Sequence, residues 1–156
     1  MAPEMTLLAI DPGKNVGWSF WCGEPVHEYG RGVFDFEHIH YRFDLYSGKL
    51  WFRVGDRFFQ VDEIVVENYI GRPGQKNGGQ RFWGPESLAK VEMYGELAHL
   101  PVTRQRPVDA LEPAIMHSGY KRTAKHLPDQ DSAYLHGFYY LETKGLISPV
   151  GLESTL

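Results

Sequence analysis

Four carboxylates stand where this 156-residue chain could use them together: Asp11, Glu67, Asp129 and Asp131. Asp11 follows Leu7-Leu8-Ala9-Ile10 and precedes Pro12-Gly13. An apolar run that short, closed by turn residues, reads as a buried strand rather than a helix. Glu67 likewise closes Ile64-Val65-Val66. A carboxylate at the end of a buried strand is costly unless a cation compensates it, although Asp before Pro-Gly also bonds turn amides. Several carboxylates brought together cannot all stay ionised without cations. A donor set made of oxygen alone selects hard divalent ions, Mg²⁺ first and Mn²⁺ as a substitute. A pair of such ions activates water and stabilises the leaving oxygen in phosphodiester hydrolysis.

The elements that must hold these groups follow from the pattern. Residues 7–11, 16–21 and 33–36, punctuated by glycines and turns, read as three antiparallel strands. From Asp44 to Gln60, the residues Leu45, Trp51, Val54, Phe58 and Phe59 recur roughly at helical spacing, so a helix is expected there, weakened by Gly48 and Gly55. A helical crossover would make the strand ending at Glu67 parallel to the one ending at Asp11 and place both carboxylates on one edge of the sheet, the edge where ligand chemistry gathers in open α/β sheets. A helix opened by Pro85, a short strand at 100–105, and helices from Pro107 and from about Leu127 complete the chain. Asp129 is placed to cap the last helix and Asp131 falls in its first turn, an ordinary structural use of both residues. The expected architecture is α/β: a mixed five-stranded sheet, three antiparallel strands then parallel ones, flanked by helices. It forms one domain over residues 1–156, with a core of about 6–145 and a short tail.

Composition bounds the function. The formal net charge is −4, which argues mildly against a nucleic-acid binder, but distribution matters more than the sum. Residues 71–83 carry Arg72, Lys76 and Arg81 and no acid, in a glycine-rich loop tipped by Tyr69, Phe82 and Trp83. Such a loop is suited to clamp a substrate, its cations on phosphates and its rings on unpaired bases; Phe82 and Trp83 equally suit apolar anchoring of the loop. A second basic stretch holds Arg104, Arg106, Lys121, Arg122 and Lys125. Cys22 is the sole cysteine, so an intramolecular disulfide and a four-cysteine zinc site are excluded. His117, His126 and His136 show no metal-ligand spacing. The first residues lack a basic region before an apolar core, and no apolar run approaches a membrane span, so a cytoplasmic protein without membrane contact is expected.

Taken in order, Leu-Leu-Ala-Ile-Asp11-Pro-Gly-Lys-Asn-Val-Gly-Trp18, Val65-Val66-Glu67 and Asp131-Ser-Ala133 resemble the RuvC-type Holliday junction resolvases, nucleases of the RNase H-like superfamily. The compact chain is similar to phage-encoded members, which would place it in the host cytoplasm. The likeness spans about Leu7 to Leu141. It implies a homodimer that binds a four-way DNA junction and nicks two strands by Mg²⁺-dependent hydrolysis, with two ions per site. By position it gives Asp11, Glu67 and Asp131 as metal ligands and catalytic residues. The family places an Asp or His three residues before the last Asp, where this chain has Pro128; Asp129 is the nearest substitute. Residues two apart point to different faces of a regular helix, so Asp129 joins only if it precedes the first regular turn. Lys121 is the candidate for the scissile phosphate, and Tyr69, Arg72, Lys76, Arg81, Phe82, Arg104, Arg106, Arg122 and Lys125 are candidates for binding DNA. The rival readings are a broader nuclease acting on flaps and forks, a non-catalytic junction-binding relative, and an actin-like nucleotide binder. For the last, the chain is too short and a second glycine-rich phosphate loop is missing.

Overall fold

The structure is a computed structural model that describes residues 5–68 and 83–150. Strands β1 (Leu7–Asp11), β2 (Asn15–Cys22) and β3 (His27–Asp35) form the antiparallel meander. After a short 3₁₀ turn (Phe36–Tyr41), the chain builds β4 (Phe43–Tyr46), β5 (Lys49–Val54) and β6 (Arg57–Gln60). It then enters β7 (Glu63–Glu67), α1 (Trp83–Leu97), β8 (Val102–Gln105), α2 (Pro107–Ser118) and α3 (Asp129–Thr143). The main sheet has the order β3-β2-β1-β7-β8. β1 pairs antiparallel with β2 and parallel with β7, and β7 is parallel with β8. This is the mixed five-stranded, helix-flanked sheet expected of an RNase H-like fold.

The helix expected over Asp44–Gln60 is absent. That segment is a separate three-stranded antiparallel sheet, β4-β5-β6. Its two hairpin turns put Ser47, Gly48 and Gly55 at positive φ, +53°, +73° and +67°, as tight two-residue hairpin turns require. Along β5, Leu50 and Phe52 are buried while Lys49 and Arg53 are exposed, the period-two alternation of a strand. The crossover from β3 to β7 is therefore this small sheet rather than a helix. The parallel alignment survives, because it depends on which way β7 enters and not on what precedes it.

Alternation divides the core between the two faces of the main sheet. Leu8, Ile10, Trp18 and Phe20 pack with Leu50, Phe52, Leu88 and Val91 of the small sheet and α1. Leu7, Ala9, Trp21 and Val65 pack with Ala114, Leu135, Phe138 and Leu141 of α2 and α3. The α3 face is docked closely. The Ser19 hydroxyl donates to the Ala133 carbonyl at 2.9 Å and accepts from the Trp21 indole at 2.8 Å. A Cβ at Gly17 would collide with the backbone carbonyl of Asp129. Gly17 thus lets the first turn of α3 lie against β2 opposite Asp11, its register partner. Among the described residues no helix is long and apolar enough to cross a membrane.

Candidate functional site

Register alone brings the first two carboxylates together. Ile10 lies beside Val66 in the parallel pair, so Asp11 and Glu67, the next residues, leave the same edge of adjacent strands. Alternation along the strands puts both on the face that carries Ala9 and Val65, the face covered by α3. The Asp11 carboxyl is held well above its ordinary value of 3.8. Burial is the largest cause, followed by a hydrogen bond and charge from Glu67 and by the charge of Asp129. A hydrogen bond with Ser132 is the one opposing influence. Among the described residues no Arg or Lys acts on Asp11 to offset these influences.

Glu67 sits differently. Burial pushes its carboxyl up, and hydrogen bonds from His136 and Asp11 outweigh that, leaving it below its usual range. Asp11 is therefore the group that keeps the proton of the pair. The bond from His136 has its own support. The Gln105 side-chain amide lies 2.9 Å from Nδ1 of His136 and donates to the His136 carbonyl at 3.0 Å. With the amide donating to Nδ1, the ring proton stands on Nε2, 3.2 Å from Oε1 of Glu67. His136 is fully buried, and Gln105 is the register partner of Glu67 on β8. Sequence reasoning passed over Gln105 and Ser132, and found no ligand spacing for His136. The signal available was helical period: Ser132 and His136 lie three and seven residues after Asp129, one face of a helix.

The two acids of α3 separate. Asp129 opens the helix, half-buried, and its carboxyl is raised by burial and by the charge of Glu67. It does not cap the helix: the cap position is Pro128, and no side chain caps the first turn. Asp131 points elsewhere. Its Oδ1 accepts from Arg31 at 3.0 Å and its Oδ2 from the Tyr120 hydroxyl at 2.6 Å. Arg31 also donates to Glu28 at 3.0 Å and lies 4.1 Å above the Tyr134 ring. Asp131 is thus part of a tie between β3, the connection after α2 and α3, and is not among the groups acting on Asp11, Glu67 or Asp129.

Of the other predicted residues, Lys121, Arg122 and Lys125 lie exposed in the connection before α3. Arg104 and Arg106 already hold carboxylates, Glu92 at 2.7 Å and Asp109 at 2.9 Å. Trp83 opens α1 and meets Phe36 edge-on, 5.9 Å between centroids, which is the anchoring role. Tyr69, Arg72, Lys76, Arg81 and Phe82 lie outside the described residues.

Among the described residues no three His, Cys, Asp or Glu side chains are disposed as a preformed metal cage. Asp11 and Glu67 are closed on each other through a hydrogen bond instead. The donor chemistry nonetheless fits a hard divalent cation. Asp11, Glu67 and Asp129 offer oxygen alone and converge at one sheet edge, where burial first and then the neighbouring carboxylates hold Asp11 and Asp129 above their ordinary range.

No protein-family model and no curated protein matches this sequence. Solved structures do match its fold. "T. thermophilus RuvC in complex with Holliday junction substrate" aligns with a TM-score of 0.54 at 14% identity, covering 94% of this chain and 99% of that one. A second Thermus thermophilus RuvC structure aligns at 0.51 and 13%, covering 94% and 100%. The chain has the RuvC-type, RNase H-like fold.

Proposed function

We propose that this protein is a metal-dependent, structure-selective DNA endonuclease that resolves four-way junctions by paired phosphodiester hydrolysis, acting as a homodimer. The observation that carries the reading is the convergence of Asp11, Glu67 and Asp129 at the carboxyl edge of a RuvC-type sheet, where among the described residues no Arg or Lys acts on Asp11 or Asp129. The structural neighbour solved with a Holliday junction supports branched DNA as the substrate class.

Asp11, Glu67 and Asp129 would hold Mg²⁺, or Mn²⁺ in its place. Ions bound there would lower the pKa of the attacking water and stabilise charge on the leaving oxygen. The chain does the rest. His136, fixed by Gln105, donates to Oε1 of Glu67 and would orient that carboxylate as a ligand, the arrangement by which outer hydrogen bonds position a metal ligand. Ser132 performs the same service for Asp11. A cation held there would require Asp11 to be deprotonated, so its binding would be coupled to proton release. The exposed Lys121, Arg122 and Lys125 supply positive charge close before α3 in the chain, suited to phosphates of the strand entering the site. Two copies acting together would make the two cuts.

The test is cleavage of labelled four-way junction, fork, flap and linear duplex with Mg²⁺, Mn²⁺ or EDTA. Symmetric paired cuts confined to the junction and lost in EDTA are expected. Cuts on every branched substrate would replace the resolvase with a debranching nuclease. Junction binding without cuts in either metal would make the chain a non-catalytic relative.

A further inference from the structure

On the face of the main sheet away from the carboxylates lies a cavity of about 570 Å³, between β2–β3 and the small sheet. Its walls include Trp18, Gly30, Gly32, Tyr41, Arg42 and Arg53, and among the described residues no carboxylate lines it. Glycines at 30 and 32 leave room over the Trp18 ring, which a Cβ at Gly32 would crowd at 2.9 Å. Arg31, between them, turns to the opposite face, where it is paired with Glu28 and Asp131.

The charge in this cavity is unbalanced. Arg42 lies with its guanidinium 5.7 Å from the Trp18 ring and 5.6 Å from the Phe34 ring. Its polar contact is the Arg53 carbonyl at 3.1 Å, and the Arg53 guanidinium in turn donates to the Gly55 carbonyl at 2.8 Å. Among the described residues neither is ion-paired, whereas Arg31, Arg104 and Arg106 are. Burial, and then repulsion from Arg53, pushes Arg42 below its usual pKa. The Trp18 indole N–H is buried without an acceptor, a deficit that ordinarily costs about 1–3 kcal/mol. Two guanidiniums that among the described residues have carbonyl but no carboxylate partners, beside an indole donor with no acceptor, suit an oxyanion. Arginine forks suit phosphate geometry, and Tyr41, 61% exposed beside them, offers a ring face to a base attached to that phosphate.

We propose that the cavity between β3 and the small sheet, walled by Trp18, Arg42 and Arg53, is a phosphate-binding site separate from the carboxylate cluster. It takes a phosphate that carries a nucleoside. The phosphate belongs either to a DNA strand or to a free nucleotide. The site stands on its own residues and does not depend on the nuclease reading.

The Trp18 indole N–H reports on it directly. In ¹⁵N-labelled protein in EDTA, that resonance is identified as the indole signal missing from Trp18→Phe. Inorganic phosphate, thymidine 5′-monophosphate and a short single-stranded oligothymidylate are then titrated. A saturable downfield shift of this resonance is expected, with the nucleotide or the oligonucleotide binding more tightly than inorganic phosphate. Arg53→Ala, an exposed residue whose loss leaves the core intact, should weaken the binding about tenfold, and Arg42→Gln should do the same or more. Tighter binding of the oligonucleotide assigns the site to DNA; equal affinity for the mononucleotide assigns it to a free nucleotide. Absence of a saturable shift with all three ligands overturns the proposal, as does a shift that Arg53→Ala and Arg42→Gln leave unchanged. Because EDTA silences any metal-dependent chemistry, neither result bears on the carboxylates.

Discussion

Exchanging Asp131 for asparagine separates a structural acid from a chemical one. The wild-type carboxylate, 19% exposed, takes one charged hydrogen bond from Arg31 and one from Tyr120. In Asp131→Asn the amide oxygen can still face Arg31, and the Tyr120 hydroxyl can turn to accept from the amide nitrogen. What is lost is the charge on a pair whose cation is 29% exposed and keeps Glu28 as a second partner. A partly screened pair of this kind contributes about 1 kcal/mol. For a domain of this size that lowers the melting temperature by about 2–4 °C. Cleavage should persist within severalfold, since Asp131 does not act on Asp11 or Glu67. Asp129→Asn should do the reverse. Removing a half-buried acid that faces Glu67 leaves the metal-free protein as stable as wild type or more so. The same change withdraws a ligand and should cost at least about a hundredfold in cleavage, beyond what an outer-shell loss costs. Thermal unfolding in EDTA and junction cleavage in Mg²⁺ measure both. An inactive Asp131→Asn of unchanged melting temperature, beside an active Asp129→Asn, would refute the assignment and restore Asp131 as the ligand.

Three further outcomes follow from the same geometry. Asp11 has a folded-state pKa raised above its unfolded value, so in EDTA its contribution favours the fold at low pH and is lost as pH rises from about the ordinary 3.8 through the raised value. Asp11→Asn should therefore raise the metal-free melting temperature at neutral pH, abolish cleavage, and remove the stabilisation that Mn²⁺ confers on wild type; equal Mn²⁺ stabilisation in the variant would deny Asp11 a ligand role. His136→Leu and Gln105→Leu should each weaken Mn²⁺ binding about 10–100-fold by calorimetry, and unchanged affinity in both would make the relay merely structural. Gly17→Ala should destabilise the protein and depress cleavage together, because its Cβ would displace the Asp129 backbone; wild-type melting and activity would show that α3 needs no such close contact.

Both buried strands and their terminal carboxylates were legible because each is a short apolar run, residues 7–10 and 64–66, closed by an acid. The parallel register followed from chain direction, so the wrong crossover did no harm to the site. That crossover misled for a definite reason. In 44–60 the large apolar residues Trp51, Val54 and Phe58 fall three and four apart, yet Gly55 sits at φ +67° between the last two and breaks the run into strands. The different placement of Asp129 and Asp131 could not be read from composition. It depends on the rotational phase of α3, which is set by how its first turn lands on Gly17, a tertiary contact. Gln105 was hidden for a similar cause: it reaches the site through its register with Glu67.

The main sheet also explains how an acidic chain can hold two anion-related sites without their charges cancelling. Across β3, successive residues face opposite sides. Arg31 joins Asp131 on the α3 side, while Gly30 and Gly32 open the arginine cavity on the other. A sheet thickness of Leu8, Ile10, Trp18 and Phe20 on one side and Leu7, Ala9 and Trp21 on the other stands between cations and carboxylates. Were Arg42 and Arg53 on the α3 face, they would neutralise Asp11 and Glu67 directly. β3 is an edge strand, so a ligand can pass from one face to the other around it without crossing the sheet. A DNA strand that fills both sites must take that route. Glu28 and Arg31, whose side chains form the ion pair on that edge, are then where substitution should disturb the coupling of the two sites while sparing each taken singly.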